Sequence, residues 1–133
     1  MNTNLQNTVA LVARIMMAAI FLTSGFGKLT GFEGTVGYIA SKHVFMPQVA
    51  AVVAILAELG GGLLLLVGFK ARYAGLVLAI FTVAAAALFH DFWAADAAAK
   101  MNQTIHFWKN ITMAGGLLMV FAFGPGRYSV DKA

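Results

Sequence analysis

The segment from Ala51 to Phe69, AVVAILAELGGGLLLLVGF, is apolar except for one carboxylic acid, Glu58, near its centre. About 20 helical residues, each rising 1.5 Å, span the roughly 30 Å hydrocarbon layer of a membrane. An unpaired carboxylate is unfavourable both in a protein core and in lipid, so Glu58 needs a partner. The chain must therefore fold so that a polar group of another segment reaches this acid.

The rest of the chain is almost as apolar as this segment. Of its 133 residues, 61% are hydrophobic and 11% are charged, a composition far more apolar than that of soluble domains. The predicted spans cover residues 8–28, 49–69, 73–89 and 107–124. The sequence thus predicts an all-α fold, a four-helix transmembrane bundle that forms one domain over residues 1–133. A short interfacial helix is expected between the first two spans, where aromatic, basic and glycine residues are mixed.

Charge and cysteine content exclude several kinds of function. The chain has no cysteine, which excludes thiol chemistry, iron–sulfur clusters and covalent haem attachment by this chain. Its formal charge is +4, but the Lys and Arg residues are scattered at helix ends, so no nucleic acid partner is predicted. Four spans place both termini on one side of the membrane. A slight excess of Lys and Arg on that side predicts that it is the cytoplasmic side.

Each predicted span carries one polar stripe, with residues spaced by three and four positions. If the first two helices run antiparallel with Ala18 level with Glu58, Arg14 lies about one turn from the acid and its long side chain can reach it. The sequence therefore predicts a structural ion pair between Arg14 and Glu58. The alternative is that Glu58 belongs to a proton or ligand site.

A second polar cluster is predicted at the membrane side opposite the termini. Its members are Ser24, Lys28, His90, His106, Lys109 and Asn110. Together with Glu58 they form the predicted ligand-binding set, beside an apolar wall of Trp93, Phe107 and Trp108. The alternative interpretation is an ordinary belt of aromatic and basic residues that anchors helix ends at the membrane surface.

Metal and haem sites have little support in the same cluster. Axial haem ligation by His90 and His106 has no second feature in its favour. A metal site made of His90, Asp91 and His106 is weak, because two of the three residues are adjacent and the third lies on another helix. No metal ligand is therefore predicted.

Three stretches occur in the order and at the separations of a known family: RIMMAAIFLTSGFGKL, AELGGGLLLLVGFKAR and KNITMAGGLLMVFAFGPGRYSVD. Over nearly its whole length the chain resembles the DoxX family of bacterial four-helix membrane proteins. The resemblance implies the same fold as the apolar spans do, and a multi-pass location in the bacterial cytoplasmic (inner) membrane. The positions that carry it are Arg14, Ser24, Gly25, Lys28, Glu58, Gly62, Arg72, Lys109 and Asn110. It assigns no catalytic role to any of them.

The same resemblance implies membrane redox or quinone biology. The first hypothesis is a quinone-linked or redox-associated membrane component that binds a quinone or similar aromatic compound without a covalent cofactor, as a subunit of a membrane oxidoreductase. The second is a non-enzymatic scaffold that docks a redox-enzyme partner. The third is a small-molecule exporter, which would need an oligomer, such as a homo-oligomer, or larger gaps between helices, because four helices enclose little volume. Whether the chain is itself an enzyme stays open.

Overall fold

The computed structural model describes residues 2–132 and is helical throughout this range apart from short connections. The helices are α1 (Thr3–Thr30), α2 (Phe32–Ser41), α3 (Pro47–Val67), α4 (Ala71–Phe89) and α5 (Lys100–Phe123). A short 3-10 turn, Phe92–Ala94, lies between α4 and α5. The predicted all-α class is confirmed.

Three of the five helices have the length and the apolar composition needed to cross a membrane: α1, α3 and α4 with the turn that follows it. They correspond to the first three predicted spans. A helix, α2, does lie in the predicted connection between the first two spans. Its position in the membrane interface, and α5 as a fourth span, stay predictions.

The start of α5 differs from the prediction, which ended the preceding connection at residue 106. The helix begins at Lys100 because Asp96 organises the chain ahead of it. The Asp96 side chain accepts a hydrogen bond from the Ala99 amide (2.9 Å), and the Asp96 carbonyl accepts one from the Lys100 amide (2.9 Å). A polar stretch that lacks an apolar stripe is thus helical through its local hydrogen bonds.

The long helices pack in chain order, α1 on α3, α3 on α4 and α4 on α5, whereas α1 and α5 meet at only a few points. Small residues allow the close approaches. A side-chain carbon added to Gly61 of α3 would lie 2.9 Å from the Leu78 side chain of α4. The buried apolar core includes Ala18, Phe21, Leu65, Leu78, Ala79 and Leu117.

The register between α1 and α3 is set by two glycines. A side-chain carbon on Gly25 would lie 3.0 Å from Cβ of Glu58, and one on Gly62 would lie 3.2 Å from the Phe21 side chain. Gly25, rather than Ala18, is therefore level with Glu58. The register differs from the predicted one by seven residues, or about two helical turns.

Candidate functional site

Glu58 is buried between α1 and α3, where it contacts two side chains of α1. The Lys28 ammonium lies 3.1 Å from Oε1 and 3.0 Å from Oε2 of Glu58, and Ser24 Oγ donates a hydrogen bond of 3.2 Å to Oε1. Lys28 also donates to Ser24 Oγ at 2.6 Å. Ser24 and Lys28 are four residues apart and so lie on one helix face. The central acid therefore finds its partner in Lys28.

The predicted ion pair between Arg14 and Glu58 is wrong. Arg14 Nη1 donates to the carbonyls of Leu65 (3.2 Å) and Leu66 (3.1 Å), and Nη2 donates to the Tyr128 carbonyl. The physical reason is the α1–α3 register: Arg14 precedes Gly25 by eleven residues and lies roughly 16 Å along the axis from the level of Glu58. Its guanidinium instead binds carbonyls of the last turn of α3, where the helix dipole is negative.

Gly68 leaves the space that the Arg14 side chain occupies. A side-chain carbon at this position would lie 2.3 Å from Arg14 Nη1. The residue also has a φ of 72°, a left-handed backbone conformation that glycine adopts without strain and that ends α3. Gly68 therefore both terminates α3 and lets the Arg14 guanidinium approach its carbonyls.

The residues after α5 fold back across the ends of other helices. The Asp131 carboxylate accepts hydrogen bonds from the amides of Lys70 and Ala71, both 3.0 Å, at the start of α4. The Val130 amide donates to the Val67 carbonyl at 3.1 Å. Sequence reasoning missed this contact, because the acid that caps α4 lies sixty residues further along the chain.

The opposite end of the bundle holds a pair of stacked imidazoles. His90, just after α4, and His106, in α5, have ring centroids 5.1 Å apart and an interplanar angle of 22°. His90 Nδ1 lies 2.9 Å from Gln103 Oε1. Four aromatic rings beside this pair meet edge to face, with centroids 5.2 to 5.8 Å apart. They belong to Phe92, Trp93, Phe107 and Trp108.

The same end of the bundle contains an ion pair that the sequence did not indicate. Lys42, just after α2, lies 2.8 Å from an Asp91 carboxylate oxygen, just after α4. This hydrogen bond raises the pKa of Lys42 above its ordinary value. Tyr38 of α2 stacks on Phe89 of α4, with ring centroids 5.7 Å apart. The connection from α2 to α3 is thereby attached to the end of α4.

The remaining predicted site residues face in different directions. Asn110 is half-buried and its amide nitrogen lies 3.5 Å from the Thr82 carbonyl of α4. Lys109 is exposed on the outer face of α5, beside Trp108 and Thr112. The structure thus brings Ser24, Lys28 and Glu58 together and stacks His90 on His106, but it does not place Lys109 among them.

Two family models match parts of this chain, and two bacterial relatives align with nearly all of it. A model of the DoxX family matches residues 9–91, and a model of the SURF4 family matches residues 59–133. The chain is 37% identical over 122 residues to the Escherichia coli inner membrane protein YphA, covering 92% of this chain and 87% of YphA. It is 41% identical over 128 residues to the E. coli inner membrane protein YqjF, covering 96% and 93%.

A more distant similarity connects the chain to eukaryotic proteins. It is 28% identical over 71 residues to the Surfeit locus protein 4 homolog of Schizosaccharomyces pombe, covering 52% of this chain and 24% of that protein. No solved structure matches.

The inner membrane location predicted from the sequence is confirmed by the two E. coli relatives, together with the three apolar helices. The DoxX family model covers more than half of the chain, and both relatives align over nearly all of it. The chain therefore belongs to the DoxX family of integral membrane proteins.

Proposed function

We propose that this protein crosses the membrane four times and binds a quinone, or a similar small aromatic oxygen compound, at the end opposite its termini. The fourth span is α5, whose 24 residues reach about 36 Å. It packs along the whole of α4: Arg72 Nη1 donates to the Phe121 carbonyl (2.7 Å) at one end, and His106 stacks on His90 at the other. Two helices paired over this length cross the bilayer together.

The observation that carries the ligand proposal is the asymmetric burial of the ion pair. The Lys28 side chain is 30% exposed, whereas that of Glu58 is 8% exposed. The Lys28 ammonium is therefore a cationic donor that is partly accessible to a ligand. The buried carboxylate of Glu58 and the hydroxyl of Ser24 hold it in place. Quinone oxygens accept hydrogen bonds, and charge-assisted ones are the strongest available.

The imidazole pair and its aromatic neighbours supply the second half of such a site. His106 can donate to a carbonyl oxygen, while the faces of Phe107 and Trp93 can cover a flat ring. Both groups lie where α4 ends and α5 begins, at the end of the bundle where Lys28 occupies the last turn of α1. In the proposed site, one oxygen of the ligand accepts a hydrogen bond from Lys28, and the oxygen on the opposite side of its ring accepts one from His106.

The chemistry expected of this chain is binding and proton supply. A quinone becomes a quinol by taking up two electrons and two protons, one proton on each oxygen. In this proposal a partner oxidoreductase supplies both electrons. Lys28, held by Glu58, gives a proton to the oxygen beside it, protonated His106 gives one to the other oxygen, and both side chains regain their protons from water. The chain is then a ligand-binding subunit, and its redox-enzyme partner docks at the same end.

A titration tests the proposal: a short-chain ubiquinone analogue is added to the purified protein in neutral detergent while tryptophan fluorescence is recorded. Saturable quenching is expected, and Lys28→Met and His106→Ala should each weaken binding roughly tenfold, the value of one charge-assisted hydrogen bond. Lys100→Met, which removes an exposed charge elsewhere on α5, is the control. Absence of saturable quenching, or equal affinities in all variants, would contradict the proposal.

The scaffold is the second candidate function, and one observation favours it. The interior cations already have partners: Lys28 binds Glu58, and Arg14 binds backbone carbonyls. A protein that only docks an oxidoreductase needs no more than this. A partner enzyme that co-purifies equally well with the unmodified protein and with Lys28→Met, without quinone binding by either, would support the scaffold.

A further inference from the structure

The outer face of α5 exposes a cation at a depth where the neighbouring helix exposes hydrocarbon. The contact between Asn110 and the Thr82 carbonyl (3.5 Å) places Lys109 level with Thr82. Thr82 precedes the end of α4 at Phe89 by seven residues, or about 10 Å. Near this level α4 exposes Ile80. With α5 as a span, Lys109 therefore lies within the membrane, at a depth where the neighbouring helix α4 exposes an apolar side chain.

Lys109 lies in an open groove along the outer face of α5. The residues that line it are Thr104, Ile105, Trp108, Lys109, Thr112 and Met113. The two threonine hydroxyls already donate to backbone carbonyls of their own helix, at 2.7 and 2.9 Å. The Lys109 ammonium, by contrast, makes no hydrogen bond or ion pair with any residue between 2 and 132. The ammonium of Lys109 and the indole N–H of Trp108 are the polar side-chain groups of this groove without a partner between residues 2 and 132, and only Lys109 carries a charge.

We infer that this groove binds an anionic phospholipid, whose phosphate accepts hydrogen bonds from Lys109 and whose acyl chain lies along Trp108 and Met113. An ammonium within hydrocarbon is unfavourable, so the side chain extends toward the membrane surface. Side chains of an α-helix lean toward its N-terminus, and here the N-terminus of α5 is at the nearer surface. The phosphate layer lies in that direction, and the rest of the groove is apolar apart from the indole N–H of Trp108 and the two threonine hydroxyls, and those hydroxyls are already bonded to α5 carbonyls.

The charge of the groove decides between lipid headgroups. A single exposed cation next to an apolar groove complements a lipid with net negative charge better than a zwitterionic one, whose own ammonium competes for the phosphate. This inference rests on α5 as the fourth span and is independent of quinone binding.

Fluorescence quenching by brominated lipids tests the inference directly. In a Trp93→Phe background, Trp108 is the only tryptophan and reports on its own groove. The protein is reconstituted into vesicles of brominated phosphatidylcholine with increasing fractions of brominated phosphatidylglycerol, with unbrominated vesicles as the reference. The relative binding constant should favour phosphatidylglycerol roughly fivefold, which corresponds to about 1 kcal/mol for one Lys near the surface.

The matched variants isolate the groove. Lys109→Met should abolish the preference for phosphatidylglycerol. Lys100→Met should keep it, because Lys100 lies nine residues earlier and so on the opposite face of the helix. An equal preference in the unmodified protein and in Lys109→Met would overturn the inference while leaving α5 in the membrane. No quenching by either lipid would show that protein covers α5 or that α5 lies outside the bilayer, and it would overturn the inference as well.

Discussion

The two ends of the bundle hold their cations in different ways. At the end that carries the termini, Arg14 and Arg72 donate to backbone carbonyls of the last turns of α3 and α5. At the opposite end, Lys28 and Lys42 pair with the carboxylates of Glu58 and Asp91. Backbone carbonyls do not titrate and occupy fixed positions. Carboxylates can gain a proton and change partners.

This difference indicates a structural role for the first end, and under the proposed function the second end is where the ligand binds. An arginine bonded to carbonyls neutralises helix dipoles and connects helices at any pH. A lysine that shares its ammonium between a hydroxyl and a buried acid can release it to a ligand.

The largest loss of stability is expected for Arg14→Met. Arg14 is 1% exposed, and its guanidinium binds three carbonyls from two parts of the chain. Its removal leaves buried acceptors without donors, which should lower the free energy of unfolding in detergent by about 3–5 kcal/mol. Thermal or denaturant unfolding measures the change. If Arg14→Met unfolded like the unmodified protein, Arg14 would not have the structural role given to this end of the bundle.

Glu58→Gln should destabilise the protein less, by about 1–3 kcal/mol, because Ser24 can still bond the amide and the partly exposed Lys28 keeps access to water. The double variant Glu58→Gln with Lys28→Met should recover part of this loss, since it leaves no unpaired charge. Unfolding is measured for the two single variants, Glu58→Gln and Lys28→Met, and for the double variant. Together with the unmodified protein they form a double-mutant cycle. Strictly additive effects would show that the two side chains are not coupled.

Asp131→Asn should have a smaller effect, about 0.5–2 kcal/mol, as expected for a residue that caps a helix. It removes a negative charge from the start of α4 but keeps one oxygen that can accept a hydrogen bond. The same unfolding assay applies, and Lys132→Met, a change at the neighbouring exposed position, is the control. A loss equal to that of the control would show that the segment after α5 does not stabilise α4.

Single-cysteine labelling perturbs the protein least and shows on which side of the membrane each end of the bundle lies. Because the chain has no cysteine, single cysteines at Thr3 and Ser41 can be labelled with a membrane-impermeant reagent in intact cells. Neither substitution should alter stability measurably, since both side chains are exposed. Four spans with cytoplasmic termini predict labelling of Ser41 but not of Thr3. Labelling of both positions would contradict an arrangement with these ends on opposite sides.

The sequence predicted three of the long helices but not the side chains that they bring together. Apolar length predicted α1, α3 and α4, because crossing a membrane restricts length and composition together. The register of α1 on α3 was not predictable, since it depends on how tightly Gly25 and Gly62 let the backbones approach. Because the observed register differs from the predicted one by two turns, Glu58 pairs with Lys28 and not with Arg14.

Adjacent residues show a second limit. The predicted ligand-binding set includes both Lys109 and Asn110, yet successive residues differ by about 100° around a helix axis. The structure turns Asn110 toward α4 and Lys109 outward. Contacts from distant segments, such as Asp131 on the start of α4, leave no local sequence signal.

The most direct test of the account measures ligand affinity after changes at each end. A short-chain ubiquinone analogue is titrated against the unmodified protein, Asp131→Asn at the end with the termini, and Lys28→Met at the other. Asp131→Asn is expected to bind the analogue as the unmodified protein does, whereas Lys28→Met is expected to bind it roughly tenfold more weakly. Equal weakening by both variants, or no saturable binding by the unmodified protein, would contradict this expectation.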